Sequence, residues 1–288
     1  MAARPYSIIN GEKFKNLPSC GLGSGKHQFA EPEKILACKP DIVLTSYIDA
    51  DNLQKKLGIP VVCLSYGVKD TFDKDLKQSI NIIGEIFNKQ ERANEINNFI
   101  SNIEKELNDL TKDIKNEDKK SIYLGCLSKG GLHGIESSHA DYSLFEVSHI
   151  RNILKENGLS GYQREVDLEK ILAMNPDKII IDAGGIGILK QQAQLENFRV
   201  VFHKLDAFKN DEVYIQLPYN SYSTNIEIAL CNAYYEASIA YPELFKDLNI
   251  NQKCEEIFDF FFNKNLYYQT LDMIGYNYGK LNTKELFN

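Results

Sequence analysis

The sequence predicts an α/β protein made of two doubly wound α/β lobes, the first shortened at its N-terminus, joined by one long bridging helix. The main observation is a nine-residue stretch that occurs twice, at residues 33–41 and 169–177, with seven identical positions. In each copy a helical apolar pattern ends at a proline, and a β-branched run follows the next aspartate closely. Proline lacks a backbone donor and disfavours helix in the residue before it, so each copy predicts helix, tight turn and buried strand. A duplicated unit of this kind indicates two related halves.

Composition and charge limit the class of protein. The 288 residues, 43% of them hydrophobic, suffice for one large or two ordinary domains with packed cores. A net charge of −7 argues against a nucleic-acid surface, which needs clustered lysine and arginine. The six cysteines include no CxxC pair, which disfavours a zinc or redox motif, and we interpret Cys38, Cys63, Cys126 and Cys231 as core thiols. The sequence shows neither a long apolar run nor an N-terminal signal pattern.

The first half predicts a βαβ unit within residues 33–66, with a helix at about residues 49–57 and a strand at 61–64. Tyr47 and Tyr66 follow its two strands, at the sheet edge where open α/β sheets bind ligands. Residues 1–32 are punctuated by glycine and proline and predict irregular structure. Their stretch Gly21–His27 lacks the first glycine and the hydroxyl residue of a phosphate loop, which leaves a cleft-lining loop or an ordinary turn.

Between the halves, residues 71–114 show apolar residues at helical spacing, interrupted at Asn88–Gln90. The second of the two predicted helices would have about 25 residues and a length of about 40 Å, enough to bridge two lobes. A coiled coil is the alternative, but the apolar period holds for only about three heptads.

The second half predicts the alternation of strands and helices that is typical of a doubly wound sheet. The predicted elements are a strand at 121–127, a helix near 144–156, the repeated helix and strand, a helix after Gly184–Gly187, a strand at 212–217, a long helix from about Thr224 and two further helices. The strand at 121–127 has no counterpart in the first half, since that counterpart would precede residue 1. We therefore assign residues 1–69 to an incomplete N-terminal lobe, 70–116 to a helical segment with the bridging helix, and 117–288 to the C-terminal lobe.

Three loops of the second half follow strand ends and are expected to lie on one rim. The first, residues 128–138, contains Lys129, His133 and Glu136. Imidazole and carboxylate suit iron or zinc, while the alternative is a glycine-rich turn with His133 bonded to the backbone. The second, Gly184–Gly187, offers amides to an anion but lacks the dinucleotide fingerprint.

The third loop, residues 218–227, combines Tyr219 and Tyr222 with a capping-box pattern at Thr224 and Glu227. Phenols at the tip of such a loop have little core to fill, which favours contact with a flat ligand or with ferric iron. The sequence contains no GxSxG elbow, no HExxH motif and no local cysteine–histidine pair. A catalytic arrangement is therefore not evident.

The order of these parts resembles the solute-binding proteins of ABC importers for iron-siderophore complexes, haem and cobalamin, the helical-backbone metal receptors. The phrases that carry the resemblance are Asn16–Pro18 before a glycine-rich loop, Pro32–Val43, Gly58–Val62, His133–Ser137, Asn175–Asp177 and Pro218–Asn220. The likeness covers nearly the whole chain. The family's signal or lipoprotein segment and its first strand–helix unit have no counterpart in this sequence.

The resemblance implies a monomer that captures an iron complex, a ferric siderophore or haem-like chelate, between its lobes and delivers it to an ABC permease at the membrane. It implies an extracytoplasmic location, in the periplasm or as a membrane-anchored lipoprotein. It also implies no catalytic cofactor, since the iron chelate, haem or corrinoid is the transported ligand. The predicted ligand contacts are Lys26, His27, Tyr47 and Tyr66 from the first lobe and Lys129, His133, Glu136, Tyr142, Tyr219 and Tyr222 from the second. If side chains bind iron directly, His133 and Tyr219 are the expected ligands.

Two other interpretations stay open. One is an enzyme on a two-lobed chelatase-like or nitrogenase-like scaffold. A cluster-binding enzyme would need several cysteines at loop ends facing the cleft, where only Cys20 is expected. The other is a structural partner that has lost ligand binding. The sequence does not choose among a ferric siderophore, haem, cobalamin and a bare metal ion.

Overall fold

The computed structural model describes residues 5–22, 29–46, 50–65, 71–220 and 224–287, and the chain divides into two compact units. The N-terminal unit is formed mainly by Arg4–Asn97, and the C-terminal unit mainly by Asn98–Ser221 and Asn225–Asn288. Each unit contains parallel strands connected through helices. The predicted two-lobed α/β class is therefore confirmed.

The N-terminal unit contains the predicted βαβ crossover. It begins with α1 (Pro5–Lys15), the antiparallel pair β1 (Gly21–Leu22) and β2 (Phe29–Ala30), α2 (Pro32–Ala37), β3 (Val43–Thr45), α3 (Ala50–Leu57) and β4 (Val61–Cys63). β3 and β4 pair in parallel. A spacing of four residues places Leu53 and Leu57 on one face of α3, where they join Ile35 in a small core.

Two helices follow the crossover, as the apolar spacing predicts. α4 spans Lys74–Ile86 and α5 spans Gln90–Thr111, and the chain turns between them at Asn88, which has a left-handed φ of 52°. α5 has 22 residues, a length of about 33 Å, and is slightly shorter than predicted. The boundary between the units falls inside α5, between Asn97 and Asn98. One helix thus contributes residues to both units.

A five-stranded sheet forms the centre of the C-terminal unit. Its strands are β5 (Ser121–Gly125), β7 (Arg151–Asn152), β9 (Lys178–Asp182), β10 (Val213–Gln216) and β11 (Gly279–Lys280), in the spatial order β11-β10-β9-β5-β7. β11 is antiparallel to β10, and the other pairs are parallel. All side chains of β5 and those of Ile179–Ile181 are buried, as expected for a parallel sheet covered on both faces. A separate antiparallel pair joins β6 (Ser138–His139) to β8 (Tyr162–Gln163).

Ten further helices pack in this unit, counted over the described residues. They are α6 (Ser143–Val147), α7 (Ile153–Glu156), α8 (Leu168–Met174), α9 (Ile186–Gln192), α10 (Glu196–Lys204), α11 (Asp206–Lys209), α12 (Ile226–Ala240), α13 (Ile250–Phe262), α14 (Tyr267–Ile274) and α15 (Thr283–Leu286). α12 is buried over nearly its whole length.

The repeated stretch folds as predicted in both copies. α2 leads to β3 and α8 leads to β9, and the equivalent residues Lys39 and Asn175 both turn the chain with positive φ, 48° and 39°. β3 lies in a sheet with β4, whereas β9 lies between β5 and β10. The two copies therefore belong to different sheets in different units.

Three local predictions are wrong. The single helix near 144–156 is split into α6 and α7, because His149 has a φ of 50° and Arg151–Asn152 pair with β5. α12 has Asn225 at its N-cap, so Glu227 lies one residue too early for the predicted capping box and is buried instead. Cys38 and Cys63 are exposed rather than core thiols, since they lie at the ends of α2 and β4.

Candidate functional site

The candidate site is built at the carboxyl edge of the C-terminal sheet. β5, β9 and β10 end level with one another, because Gly125 is opposite Ile181 and Asp182 is opposite Gln216. Each of these strands leads into one of the three loops noted in the sequence. Parallel α/β sheets present ligand sites at this edge.

Asp182, at the end of β9, holds the first two loops together. It is fully buried, and its carboxylate accepts hydrogen bonds from Ser128 N at 3.2 Å, from Ser128 Oγ at 3.4 Å and from Gly184 N at 2.8 Å. Burial raises the pKa of Asp182 to about 6, although these hydrogen bonds oppose the shift. The carboxylate therefore fixes the start of the first loop against the second.

The glycines of the second loop allow this close packing. A Cβ on Gly185 would lie 2.3 Å from His133 O, and one on Gly184 would lie 2.4 Å from Ser128 Oγ. The Gly184 amide is already bonded to Asp182. Gly184 and Gly185 are thus explained by the close approach of the first loop, and the Gly184 amide is not free to bind an anion.

The first loop is held by its own backbone and by α9. His133 Nε2 donates to Lys129 O at 3.2 Å, which is the turn conformation expected as the alternative to a ligand role. In a neutral ring that donates from Nε2, Nδ1 carries a lone pair that can accept a hydrogen bond. This Nδ1 has no hydrogen-bond partner among the described residues. Glu136 accepts a hydrogen bond from Gln192 Nε2 at 2.6 Å, and Gln192 Oε1 accepts one from Ile135 N at 3.0 Å.

Tyr162, which sequence reasoning missed, lies at the centre of this arrangement. Its hydroxyl is 3.0 Å from Ser137 Oγ and 3.3 Å from Lys129 O, and its ring centroid is 6.5 Å from that of His133 and 6.3 Å from that of His139. Lys129 Nζ lies 5.5 Å from the centroid of the same ring. We call Lys129, His133, His139 and Tyr162 the loop cluster. No local pattern marks Tyr162, because the pairing of β8 with β6 brings it there.

Lys129, rather than His139, gives the loop cluster its positive charge. Burial lowers the pKa of Lys129. Burial, assisted by Lys129, lowers the pKa of His139 to about 4, so this ring is neutral at pH 7. Within the described residues Lys129 forms no ion pair, and the buried Nδ1 of His139 has no partner. A half-buried cation without a counter-ion suits an anionic ligand.

Tyr142 and Tyr219 occupy a buried network beside the loop cluster. Tyr142 is 2% exposed and donates to Glu236 Oε1 at 3.0 Å, while Tyr219 is 8% exposed with its ring 6.3 Å from that of Tyr142. Tyr142 is therefore almost fully buried in this structure, and its contact with a ligand stays a prediction. Burial also raises the pKa of Tyr219 well above its usual range, which disfavours the phenolate that would bind ferric iron.

Half of the predicted ligand contacts lie outside the described residues. These are Lys26, His27, Tyr47, Tyr66 and Tyr222. Over the part of the chain that the structure describes, no group of three or more histidine, cysteine, aspartate or glutamate side chains could hold a metal ion. No described helix is long and apolar enough to cross a membrane.

Comparison with known proteins agrees with this architecture. A model of the family described as periplasmic binding protein matches residues 16–218. The molybdate-binding protein MolA of Haemophilus influenzae is 22% identical over 257 residues, which cover 80% of this chain and 69% of the relative. The Fe(3+)-citrate-binding protein YfmC of Bacillus subtilis is 24% identical over 183 residues, which cover 63% of this chain and 55% of the relative.

Solved structures show the same fold. MolA bound to molybdate superposes with a TM-score of 0.68 at 19% identity, covering 96% of this chain and 84% of that structure. The TroA-like periplasmic binding protein FepB of Veillonella parvula gives a TM-score of 0.63 at 22% identity, covering 88% of this chain and 77% of that structure.

Proposed function

This chain belongs to the periplasmic binding protein family, and we propose that it captures an anionic iron complex, a ferric siderophore or haem-like chelate. Family membership makes it a substrate-binding protein of an ABC transporter with an extracytoplasmic location, which delivers a small ligand to a membrane permease. The prediction of a binding protein rather than an enzyme is thereby confirmed. A monomeric state and a lipoprotein anchor stay predictions.

The observation that carries the proposal is Lys129 beside the Tyr162 ring. The ammonium is half-buried, 5.5 Å from the ring centroid, and forms no ion pair among the described residues. A half-buried charge without a counter-ion is costly, and an anionic ligand would compensate it. The neighbouring rings of Tyr162 and His133 offer apolar faces to the flat or aromatic part of a chelate.

The remaining predicted contacts are part of the same proposal. Lys26, His27, Tyr47 and Tyr66 would add contacts from the first half of the sequence, and Glu136 and Tyr222 from the second half. Direct ligation of iron would use His133 Nδ1, whereas Tyr219 would first have to lose a proton that its burial retains. A chelate that supplies all iron ligands itself avoids this cost, and we therefore favour binding of the intact complex.

A bare oxyanion is the second candidate. It is favoured by the similarity to MolA, a molybdate-binding protein, over 80% of this chain. An oxyanion would use the charge of Lys129 but would gain little from an aromatic face. The two candidates therefore differ in their dependence on Tyr162.

Titration of intrinsic fluorescence tests the proposal, since the chain has 16 tyrosines and no tryptophan. The probes are ferric citrate, a ferric catecholate siderophore, haemin and molybdate. For the ligand that binds, we expect Lys129→Met to raise Kd at least about tenfold, about 1.4 kcal/mol. Tyr162→Ala is expected to weaken a chelate by a similar factor, while Tyr162→Phe keeps the ring face and retains most of the affinity.

Lys246→Met is the matched control, because Lys246 is an exposed lysine of the same unit outside the loop cluster. Its Kd should equal that of the unmodified chain. An unchanged Kd in Lys129→Met for every ligand that binds would remove the site assignment. Binding of molybdate alone, insensitive to Tyr162→Ala, would identify the oxyanion as the substrate.

A further inference from the structure

Two cysteines that are distant in sequence have adjacent sulfur atoms in the N-terminal unit. Cys20 directly precedes β1 and Cys38 caps the end of α2, and their Sγ atoms are 3.6 Å apart. A disulfide has a sulfur–sulfur distance of about 2.05 Å, so the two atoms need to approach by about 1.5 Å. Side-chain rotation supplies movements of this size without a change of fold.

The local backbone holds both thiols in place. Cys20 O accepts a hydrogen bond from Glu31 N at 3.0 Å, which joins the residue to the start of α2. Both Sγ atoms lie near the same acceptor, Lys34 O, at 3.9 Å for Cys20 and 3.3 Å for Cys38. One carbonyl of α2 therefore directs the two sulfurs toward each other.

The pair is also accessible. Cys38 is exposed and Cys20 is partly exposed, whereas Cys126, Cys231 and Cys254 are buried. The hydrogen bond to Cys38, more than burial, raises the pKa of Cys20, so Cys20 retains its proton while the exposed Cys38 meets an external oxidant.

We propose that Cys20 and Cys38 form a reversible disulfide that ties the start of β1 to the end of α2. The oxidant belongs to the class of disulfides, either a small-molecule disulfide or a disulfide oxidoreductase, as found outside the cytoplasm. The Cys38 thiolate attacks one sulfur of the oxidant and releases the other as a thiolate. Cys20 loses its proton to solvent and attacks the Cys38 sulfur, which releases the second thiolate. The oxidant gains two electrons as the protein disulfide forms.

The disulfide would act on ligand binding, a consequence that rests on the proposed function. Cys20 immediately precedes the stretch Gly21–His27, which carries the predicted contacts Lys26 and His27. A disulfide restricts the backbone at Cys20, next to these predicted contacts, and a backbone that is already restricted loses less conformational entropy when a ligand binds. The oxidised protein is therefore expected to bind more tightly than the reduced protein.

Thiol trapping tests the disulfide without any ligand. The full chain is equilibrated in mixtures of oxidised and reduced glutathione, quenched with acid, alkylated and digested with trypsin. We expect the oxidised sample to lose two of its six alkylatable thiols and to yield a cross-link between the peptides of residues 16–26 and 35–55. Cys38→Ser should abolish this cross-link, and Cys63→Ser, which changes another exposed cysteine, should preserve it.

The proposal would be overturned if all six thiols could still be alkylated after oxidation. It would also be overturned if Cys38 carried glutathione while Cys20 was still alkylated. A second measurement compares Kd for the ligand identified above in the oxidised and reduced protein. A several-fold difference that disappears in Cys20→Ser/Cys38→Ser supports the coupling, and equal values refute it. Formation of the cross-link in a protein that binds none of the ligands would contradict the proposed function and leave the disulfide intact.

Discussion

At the residue scale, the candidate site depends on polar groups held in unfavourable surroundings. Asp182 is a fully buried carboxylate stabilised by backbone and hydroxyl donors, and Lys129 is a half-buried ammonium that forms no ion pair among the described residues. Such groups cost folding free energy that an ordinary core residue would not. They occur together at the edge of the sheet where a ligand is expected, as is common at functional sites.

Asp182 gives a prediction for the pH dependence of stability. Its pKa is raised from 3.8 to about 6 in the folded protein, so the folded state binds this proton more tightly than the unfolded state. Its contribution to stability is complete below about pH 4 and is lost as the pH rises to about 6, by about 3 kcal/mol. The free energy of unfolding in urea is measured for the unmodified chain and for Asp182→Asn at pH values from 4 to 7. The difference between the two proteins should fall over this range. A difference that is constant over this range would contradict the assignment.

The sequence predicts part of the candidate site at this scale. The sequence predicts Lys129, His133 and Glu136 as site residues because they lie in a glycine-rich loop that follows a strand. Tyr162 cannot be recognised as a site residue from local sequence, since only the pairing of β8 with β6 places it beside them. Local sequence also does not predict the burial of Tyr142, because its hydrogen bond to Glu236 joins residues 94 positions apart.

At the scale of elements, local sequence signals succeeded where no distant contact competed with them. The repeated helix, turn and strand formed in both copies, since a proline and a residue with positive φ end each helix. The helix predicted near 144–156 failed because pairing of Arg151–Asn152 with β5 outweighs helical spacing. Tertiary pairing of this kind cannot be read from local periodicity.

The packing of α9 against the first loop gives a matched pair of substitutions. Gly185→Ala would place a Cβ 2.3 Å from His133 O and 2.6 Å from Cys126 Cβ, whereas Gly187→Ala would meet nothing within 4 Å. We expect Gly185→Ala to destabilise the protein by about 1–3 kcal/mol and to weaken ligand binding by displacing the first loop. Gly187→Ala lies within α9 and should be neutral or stabilising by about 0.5–1 kcal/mol.

Urea unfolding and the fluorescence titration measure the two effects of this pair. Equal stability of the two variants would show that the first loop moves away from the added Cβ without a loss of folding free energy. In that case the close approach of the two backbones would not explain why residue 185 is a glycine.

At the scale of the whole molecule, the two units differ in their capacity to fold alone. The five-stranded sheet of the C-terminal unit is built entirely from residues after Lys120, and its core cluster extends from Tyr123 to Leu286. Among the described residues, the N-terminal unit has two sheets of two strands each and a core cluster centred on Ile35, Leu53 and Leu57. Two-stranded sheets are marginally stable at best, and stability rises with the apolar area buried.

We therefore expect residues 90–288, which keep α5 whole, to unfold in one cooperative urea transition, and residues 1–89 to remain largely unfolded. The longer fragment should retain the environment of Tyr162 and Lys129, because the contacts of the loop cluster with other described residues lie after residue 120. Its affinity for the ligand should be lower than that of the full chain, since the predicted contacts Lys26, His27, Tyr47 and Tyr66 are removed. Circular dichroism and the same titration measure both properties. Full affinity in residues 90–288 would assign the entire ligand site to the C-terminal unit and exclude a contribution from the N-terminal residues.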